Sequence, residues 1–188
     1  MKKKELDNSF KVVDKTFSMA KANVISIFII LPIYITLSIV YNEVCGYEKT
    51  SPFNFIMIGI LVVAGLVLHE FLHGFVWQLF CERKWKSINF GFNIKTFSPY
   101  AHCKEVLPIN QYRLGTIAPA IFTGVIPFIF ALIFKNNVLA TASILLICVA
   151  CGDFMILYTI AKEKSTSLVI DHPTMCGCQV YRKKIKIS

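Results

Sequence analysis

Charge is what this sequence has least of. Only 16% of its 188 residues are charged and 55% are apolar, where a soluble domain carries about a quarter charged residues. Paired cysteine spacing is missing too. The seven cysteines (Cys45, Cys81, Cys103, Cys148, Cys151, Cys176 and Cys178) are odd in number and contain no C-x-x-C, which argues against a disulfide framework. Cys176-Gly177-Cys178 is close enough in sequence to help bind a metal, but two nearby thiols in a tail are more often simply reduced cytoplasmic cysteines. No A-x-A-like site follows the first apolar run, and about twenty polar residues precede it, so it is expected to be a permanent helix and not a cleaved signal. No basic patch is interleaved with aromatic residues, so nothing points to nucleic acid despite a net charge of +9. Repeats and low-complexity tracts are absent, which predicts a single domain.

What is present is long apolar blocks: Ala22 to Tyr41, Phe53 to Phe80, Gly115 to Phe134 and Val138 to Ala161. Each reaches the roughly 20 residues that a helix needs to cross the hydrocarbon layer. In lipid the backbone must satisfy its own hydrogen bonds, so the blocks are expected to be helices, with Pro32, Pro119 and Pro127 tolerated as kinks. A soluble four-helix bundle would need a polar face on each block, and none has one. Lys and Arg fall six, one, six, one and six before, between and after the blocks, eighteen on one side and two on the other. The positive-inside rule then places both termini and the Cys81 to Leu114 connection in the cytoplasm. The expected architecture is an all-α membrane protein of four transmembrane helices, with residues 1–21 and 162–188 as cytoplasmic tails around a membrane domain of residues 22–161.

Polar residues inside such blocks need a reason. In "LVLHEFLHGFVW", residues 66–77, His69, Glu70 and His73 form H-E-x-x-H. On a helix, positions i and i+4 share one face, so the two imidazoles can hold one metal ion while the intervening glutamate reaches a water bound to it. Shuffling this composition would produce the pattern only about 0.003 times. A carboxylate at membrane depth also costs about 2.5 to 3.5 kcal/mol unless something nearby compensates it. Two histidines leave a tetrahedral zinc one protein ligand short. His69 lies roughly 24 Å along the second block from its outer end, and Asp153 roughly 22 Å along the fourth from the same side. Asp153 is the one acidic residue in the blocks besides Glu70, and Ala150 and Gly152 leave room for close helix approach. It therefore reads either as the third ligand or as a hydrogen-bonded carboxylate at the mouth of a cavity. His102, Glu105, Asp171 and His172 are the reserves.

These residues carry a resemblance. "HEFLHGFVW", then "FGFNIKTFSPYAHCKE", "APA" at residues 118–120, "GDF" at 152–154 and "DHPTMCGCQVY" at 171–181 resemble the zincin peptidase family of small multi-pass bacterial membrane proteins. More distantly, they resemble site-2 intramembrane metalloproteases. The resemblance implies a zinc peptidase fold in which His69, His73 and Asp153 bind one zinc ion and Glu70 is catalytic. Site-2 proteases typically set the third ligand in L-D-G, whereas this chain has C-G-D-F.

Between the second and third blocks, Ile88, Phe90, Phe92 and Ile94 alternate with Asn89, Gly91, Asn93 and Lys95, the period of a strand. Pro99 interrupts the run, and 100–106 can return as its partner in a short cytoplasmic β-hairpin. This is either an edge beside the metal on which a substrate unwinds into extended form or a simple hairpin on the membrane surface. His102 lines the substrate entry or is merely a polar residue of that hairpin. The residues predict a membrane zinc metallopeptidase cutting a membrane protein or peptide near the cytoplasmic face, and the resemblance implies the bacterial cell membrane. The alternative is a non-catalytic metal carrier, sensor or scaffold.

Overall fold

A computed structural model describes residues 9–47, 49–94, 98–172 and 175–184. Strand β1 (Phe10–Phe17) leads into helix α1 (Met19–Cys45), and α2 (Pro52–Phe80) follows. Ser51 caps α2 by accepting a hydrogen bond from the Asn54 backbone N–H at 3.2 Å, and Pro52 occupies the first turn, where its missing N–H costs nothing. After a 3₁₀ turn (Lys84–Ser87) come strands β2 (Ile88–Asn93), β3 (Ser98–Cys103) and the two-residue β4 (Leu107–Pro108). Helix α3 (Ile109–Pro119) passes through a π-helical turn (Ala120–Val125) into α4 (Ile126–Phe134). Pro119 and Pro127 each remove a donor from the helical ladder, and the π turn lies between them. Helices α5 (Asn137–Val149) and α6 (Cys151–Ile160) are followed by β5 (Leu168–Asp171) and β6 (Cys176–Lys183).

Four helical stretches are long and apolar enough to cross a membrane: Val24–Cys45, Pro52–Phe80, Ile109–Phe134 and Asn137–Ile160. Their outward side chains, among them Phe28, Val63, Val67, Ile133 and Phe134, are exposed, as lipid-facing positions must be. The fourth is not one continuous helix. It breaks at Ala150 (φ −66°, ψ 3°), so Asp153 sits in the first turn of α6.

The expectation of an all-α protein with one hairpin is corrected by a second sheet. β2 and β3 do pair antiparallel, Ile88 opposite Cys103 and Asn93 opposite Ser98. A four-stranded antiparallel sheet in the order β1-β6-β5-β4 is present as well. β1 pairs with β6 along its full length, from Phe10 opposite Lys183 to Phe17 opposite Cys176, so segments expected to be tails are strands. The physical reason is that Cys178, Val180 and Tyr181 are fully buried against the helix ends. An ion cluster joins the same parts: Glu163 receives Arg182 through Nε at 2.8 Å and Nη2 at 2.6 Å, and Lys15 Nζ lies 3.2 Å away.

Every strand lies at one end of the helices, because β1 precedes α1, β2 and β3 follow α2, β4 precedes α3 and β5 follows α6. A core of Trp77, Leu107, Ile109, Tyr112, Ile160 and Val180 joins sheet to helices there. Arg113 on α3 pins α6 by donating to the carbonyls of Ala161 and Glu163 at 3.1 and 3.2 Å, a cation on a helix C-terminus. Gly74 lets the hairpin lie directly on α2, since a Cβ there would overlap Phe90 and Ile88.

Candidate metal centre

His69 and His73 lie one turn apart on α2, their rings edge to face with centroids 4.9 Å apart. Both are buried. Asp153 reaches them from α6: its Oδ2 lies 3.0 Å from His69 Nε2 and its Oδ1 3.3 Å from His73 Nε2. The three residues chosen from sequence as ligands are thus brought together, and among the described residues they form the one group of three or more His, Cys, Asp or Glu side chains close enough to share an ion.

The hold on His73 begins with a proline. In a regular helix the Gly115 carbonyl would accept from residue 119, but Pro119 has no N–H. His73 Nδ1–H takes that carbonyl instead, at 2.9 Å. The His73 ring stacks on Trp77 (5.1 Å between centroids), which stacks on Tyr112 (5.4 Å) and donates its indole N–H to the Tyr112 carbonyl at 3.1 Å. A Cβ on Gly115 would overlap the Trp77 indole. The absent side chain therefore seats the ring that backs His73. None of Gly115, Trp77 or Tyr112 was singled out by sequence reading, although the spacing of Gly115 to Pro119 was the available signal.

The donor set fits a cation. With Nδ1–H committed to Gly115, His73 turns Nε2, the ring nitrogen left to bind a metal ion or a proton, toward a carboxylate oxygen 3.3 Å away. Two imidazoles and one carboxylate are a set that zinc accepts, leaving one tetrahedral position open. His69 Nδ1 is buried and has no hydrogen-bond partner among the described residues.

Glu70 lies beside this group, half-buried, on the wall of a cavity of about 730 Å³ shared with His73, Asp153 and the hairpin. Ala101 of β3 lines the same cavity. The reserve ligands have other partners. Asp171 accepts from Tyr112 O–H at 2.6 Å and from the Cys103 N–H at 2.7 Å, with His102 Nδ1 3.8 Å off. Burial raises the Asp171 carboxyl above its usual range against those hydrogen bonds. His102 and Asp171 line the same cavity but stand outside the metal group. Glu105 accepts from the Glu82 and Arg83 N–H groups, from Arg83 Nε and from Ser87. Burial pushes its carboxyl up, but these donors outweigh it and hold it at about 2. His172 Nδ1 accepts from the Met175 N–H. Cys176 and Cys178 sit in β6, and within the described residues no metal-binding group includes them. The Cys178 thiol is pushed up to about 12, first by burial and then by Asp171 and Glu163.

Comparison with known proteins gives one family match. No curated protein and no solved structure matches the chain. The model of a family described as "Putative zincin peptidase" matches residues 62–168, a stretch containing His69, Glu70, His73, Gly115 and Asp153. That match spans more than half of the sequence, and the chain belongs to this zincin peptidase family.

Proposed function

We propose that the protein is a membrane-embedded zinc metallopeptidase that hydrolyses a peptide bond of a membrane-associated protein near the cytoplasmic face. The observation that carries this reading is the convergence of His69, His73 and Asp153 beside a cavity that Glu70, His73 and Asp153 line. His69 and His73 would hold the ion through Nε2 and Asp153 through its carboxylate, one ion per chain. Zinc, when bound, supplies Lewis acidity toward the scissile carbonyl and lowers the pKa of its water. Glu70 is the base: it accepts a proton from the attacking water and delivers it to the leaving nitrogen as the C–N bond breaks. The water oxygen and its remaining hydrogen stay with the acyl fragment as the new carboxyl group. The Gly115 carbonyl and the Trp77 ring orient His73 throughout. The β3 edge is the place for an extended substrate segment. A cytoplasmic position for the sheet end, and with it both termini, is supported by the eighteen Lys and Arg residues at that end against two at the other.

Glu70→Gln tests the reading. It leaves the ligand set whole and removes the base, so zinc content should stay near one per chain while kcat falls by about 10² to 10⁴. In cells, a membrane protein normally shortened should persist at full length and co-purify with the variant. Comparative proteomics of parent, Glu70→Gln and deletion strains decides it. If no protein's length depends on Glu70 while Glu70→Gln rescues a deletion phenotype, the metal carrier, sensor or scaffold reading replaces it.

A further inference from the structure

The face of α2 opposite the metal centre carries a cluster of its own. Phe71 and Phe75 follow His69 and His73 by two residues, about 200° round the helix, and their rings stack at 5.9 Å between centroids. Trp85, in the turn after α2, folds back over both, 5.7 Å from Phe71 and 6.2 Å from Phe75. Phe90 of β2 adds a fourth ring 6.4 Å from Trp85. All four rings are half-exposed. Lys84, which delivers Trp85, has φ 51°, a left-handed conformation that disfavours a lysine. Its Nζ donates to the Leu79 carbonyl at 3.0 Å, closing the turn on α2. With Arg83 and Lys86 it sets three exposed cations within two residues of the indole. Helix length gives the depth of this cluster. The 29 residues of α2 extend about 43 Å, and about 41 Å across the bilayer at the usual tilt of about 20°. The hydrocarbon layer is about 30 Å thick, so roughly two turns of α2 stand outside it. Phe71 and Phe75 lie about 28 and 34 Å along the helix from Pro52. Trp85, lying over both, is therefore one hydrocarbon thickness from the far end of α2.

We propose that Trp85, with Phe71, Phe75 and Phe90 packed on it and Arg83, Lys84 and Lys86 around it, is an anchor for anionic phospholipid headgroups that holds the metal centre at the edge of the hydrocarbon layer. The inference does not depend on the peptidase reading. Val67, Leu68 and Leu79 are exposed on the same helix, so the rings continue a surface that already faces acyl chains. An indole suits the level at which those chains end, having an apolar body and one N–H for the wet side. The cations stand at that same level, where an anionic leaflet attracts them. A second copy docking on this patch would set the three cations against their own equivalents across a two-fold axis. Charge complementarity therefore selects lipid over self-association. His73 lies on the same turn of α2 as Phe71 and Phe75, so the depth of Trp85 is also the depth of the metal centre. Water from the headgroup layer then reaches the cavity without crossing the hydrocarbon.

The test uses the full-length protein reconstituted in phosphatidylcholine vesicles. The sequence has two tryptophans and Trp77 is buried, so lipid quenching of the parent reports Trp85, and Trp85→Phe should abolish it. Phosphatidylcholine brominated near the glycerol backbone should quench Trp85 strongly, and the same lipid brominated near the chain ends should quench it weakly. Stronger quenching from the chain ends would put Trp85 deep in the hydrocarbon. Quenching by aqueous acrylamide with none from either lipid would put it in water. Each result overturns the anchor. At low salt, brominated phosphatidylglycerol should quench several-fold more effectively than brominated phosphatidylcholine at equal mole fraction. That preference should fall toward one in high salt. It should also fall when Arg83→Gln and Lys86→Gln are combined, each cation near an anionic surface being worth up to about fivefold. Both side chains are exposed, and unchanged Trp77 emission confirms that the fold is kept. Equal quenching by the two lipids at low salt overturns the headgroup assignment. Loss of lipid quenching as the protein-to-lipid ratio rises would make a second copy the occupant and overturn it as well.

Discussion

Asp153 and Asp171 are both largely buried carboxylates on the wall of the same cavity, and their partners differ in kind. Asp171 faces fixed donors, the Tyr112 O–H and the Cys103 N–H, which fill its lone pairs and make it a strut between α3, β3 and β5. Asp153 faces two imidazole Nε2 atoms, on His69 and His73, each able to bind a metal ion or a proton. A carboxylate held by fixed donors is complete. One that faces ring nitrogens can share a cation with them. The chemistry of the partner, and not the residue type, distinguishes a candidate ligand from a brace.

The largest effect should come from making the same substitution at both positions. Asp153→Asn should weaken zinc binding by at least about 100-fold, beyond what outer-shell changes cause, with folding largely retained. Asp171→Asn should leave zinc binding within a few-fold of the parent while lowering stability by about 2 to 3 kcal/mol, because an amide accepts through one atom only and presents N–H to the other donor. Metal titration and thermal unfolding of the zinc-free protein separate the two. A loss of zinc in Asp171→Asn equal to that in Asp153→Asn would erase the distinction.

Next in size, Gly115→Ala should lower zinc affinity by about 10- to 100-fold, as a Cβ displaces the Trp77 ring and unseats His73. Tyr112→Phe, which removes only the hydroxyl on Asp171, should cost about 1 to 2 kcal/mol of stability and leave zinc binding unchanged. Pro119→Ala should act more weakly, by a few-fold on zinc affinity, because it returns an N–H that competes for the Gly115 carbonyl without removing the carbonyl.

The smallest effect is on pH dependence. Glu105, held at about 2 against an ordinary value of 4.5, contributes stability above pH 4.5 that is lost as pH falls toward 2. Asp171 has the opposite sign: its carboxyl is raised, so its contribution is full below the ordinary carboxylate range and fades as pH rises through the raised value. Chemical denaturation followed across pH should show a shallower acid loss in Glu105→Gln and a shallower loss with rising pH in Asp171→Asn. The same slope change in both variants would contradict the assigned directions.

The helices and the ligand set were legible in the sequence because each depends on a pattern within one segment. Apolar length marks the spans, i and i+4 spacing marks His69 and His73, and helical rise from a common membrane edge brought Asp153 to their depth. Strict alternation from Ile88 likewise marked the hairpin. The four-stranded sheet was not legible. β1 is short, carries Lys11, Asp14 and Lys15, and finds its partner only at the far end of the chain, Phe10 opposite Lys183, so no local window contains the pairing. The break at Ala150 was hidden inside an uninterrupted apolar run. The supports of the centre were hidden for another reason. Gly115 acts through its backbone carbonyl, a group every residue has, and only the fold decides which carbonyls stay uncommitted.

The pairing of β1 with β6 also orders events in time. β6 lies after all four spans in the chain, so a ribosome delivers the H-E-x-x-H helix into the bilayer well before the strand that completes the sheet has been made. Met175, Cys176 and Gly177, on the cavity wall, arrive with that strand. The growing polypeptide therefore carries His69, Glu70 and His73 before the strand that completes the sheet and part of the cavity wall exists, and the chamber closes only once translation passes residue 183.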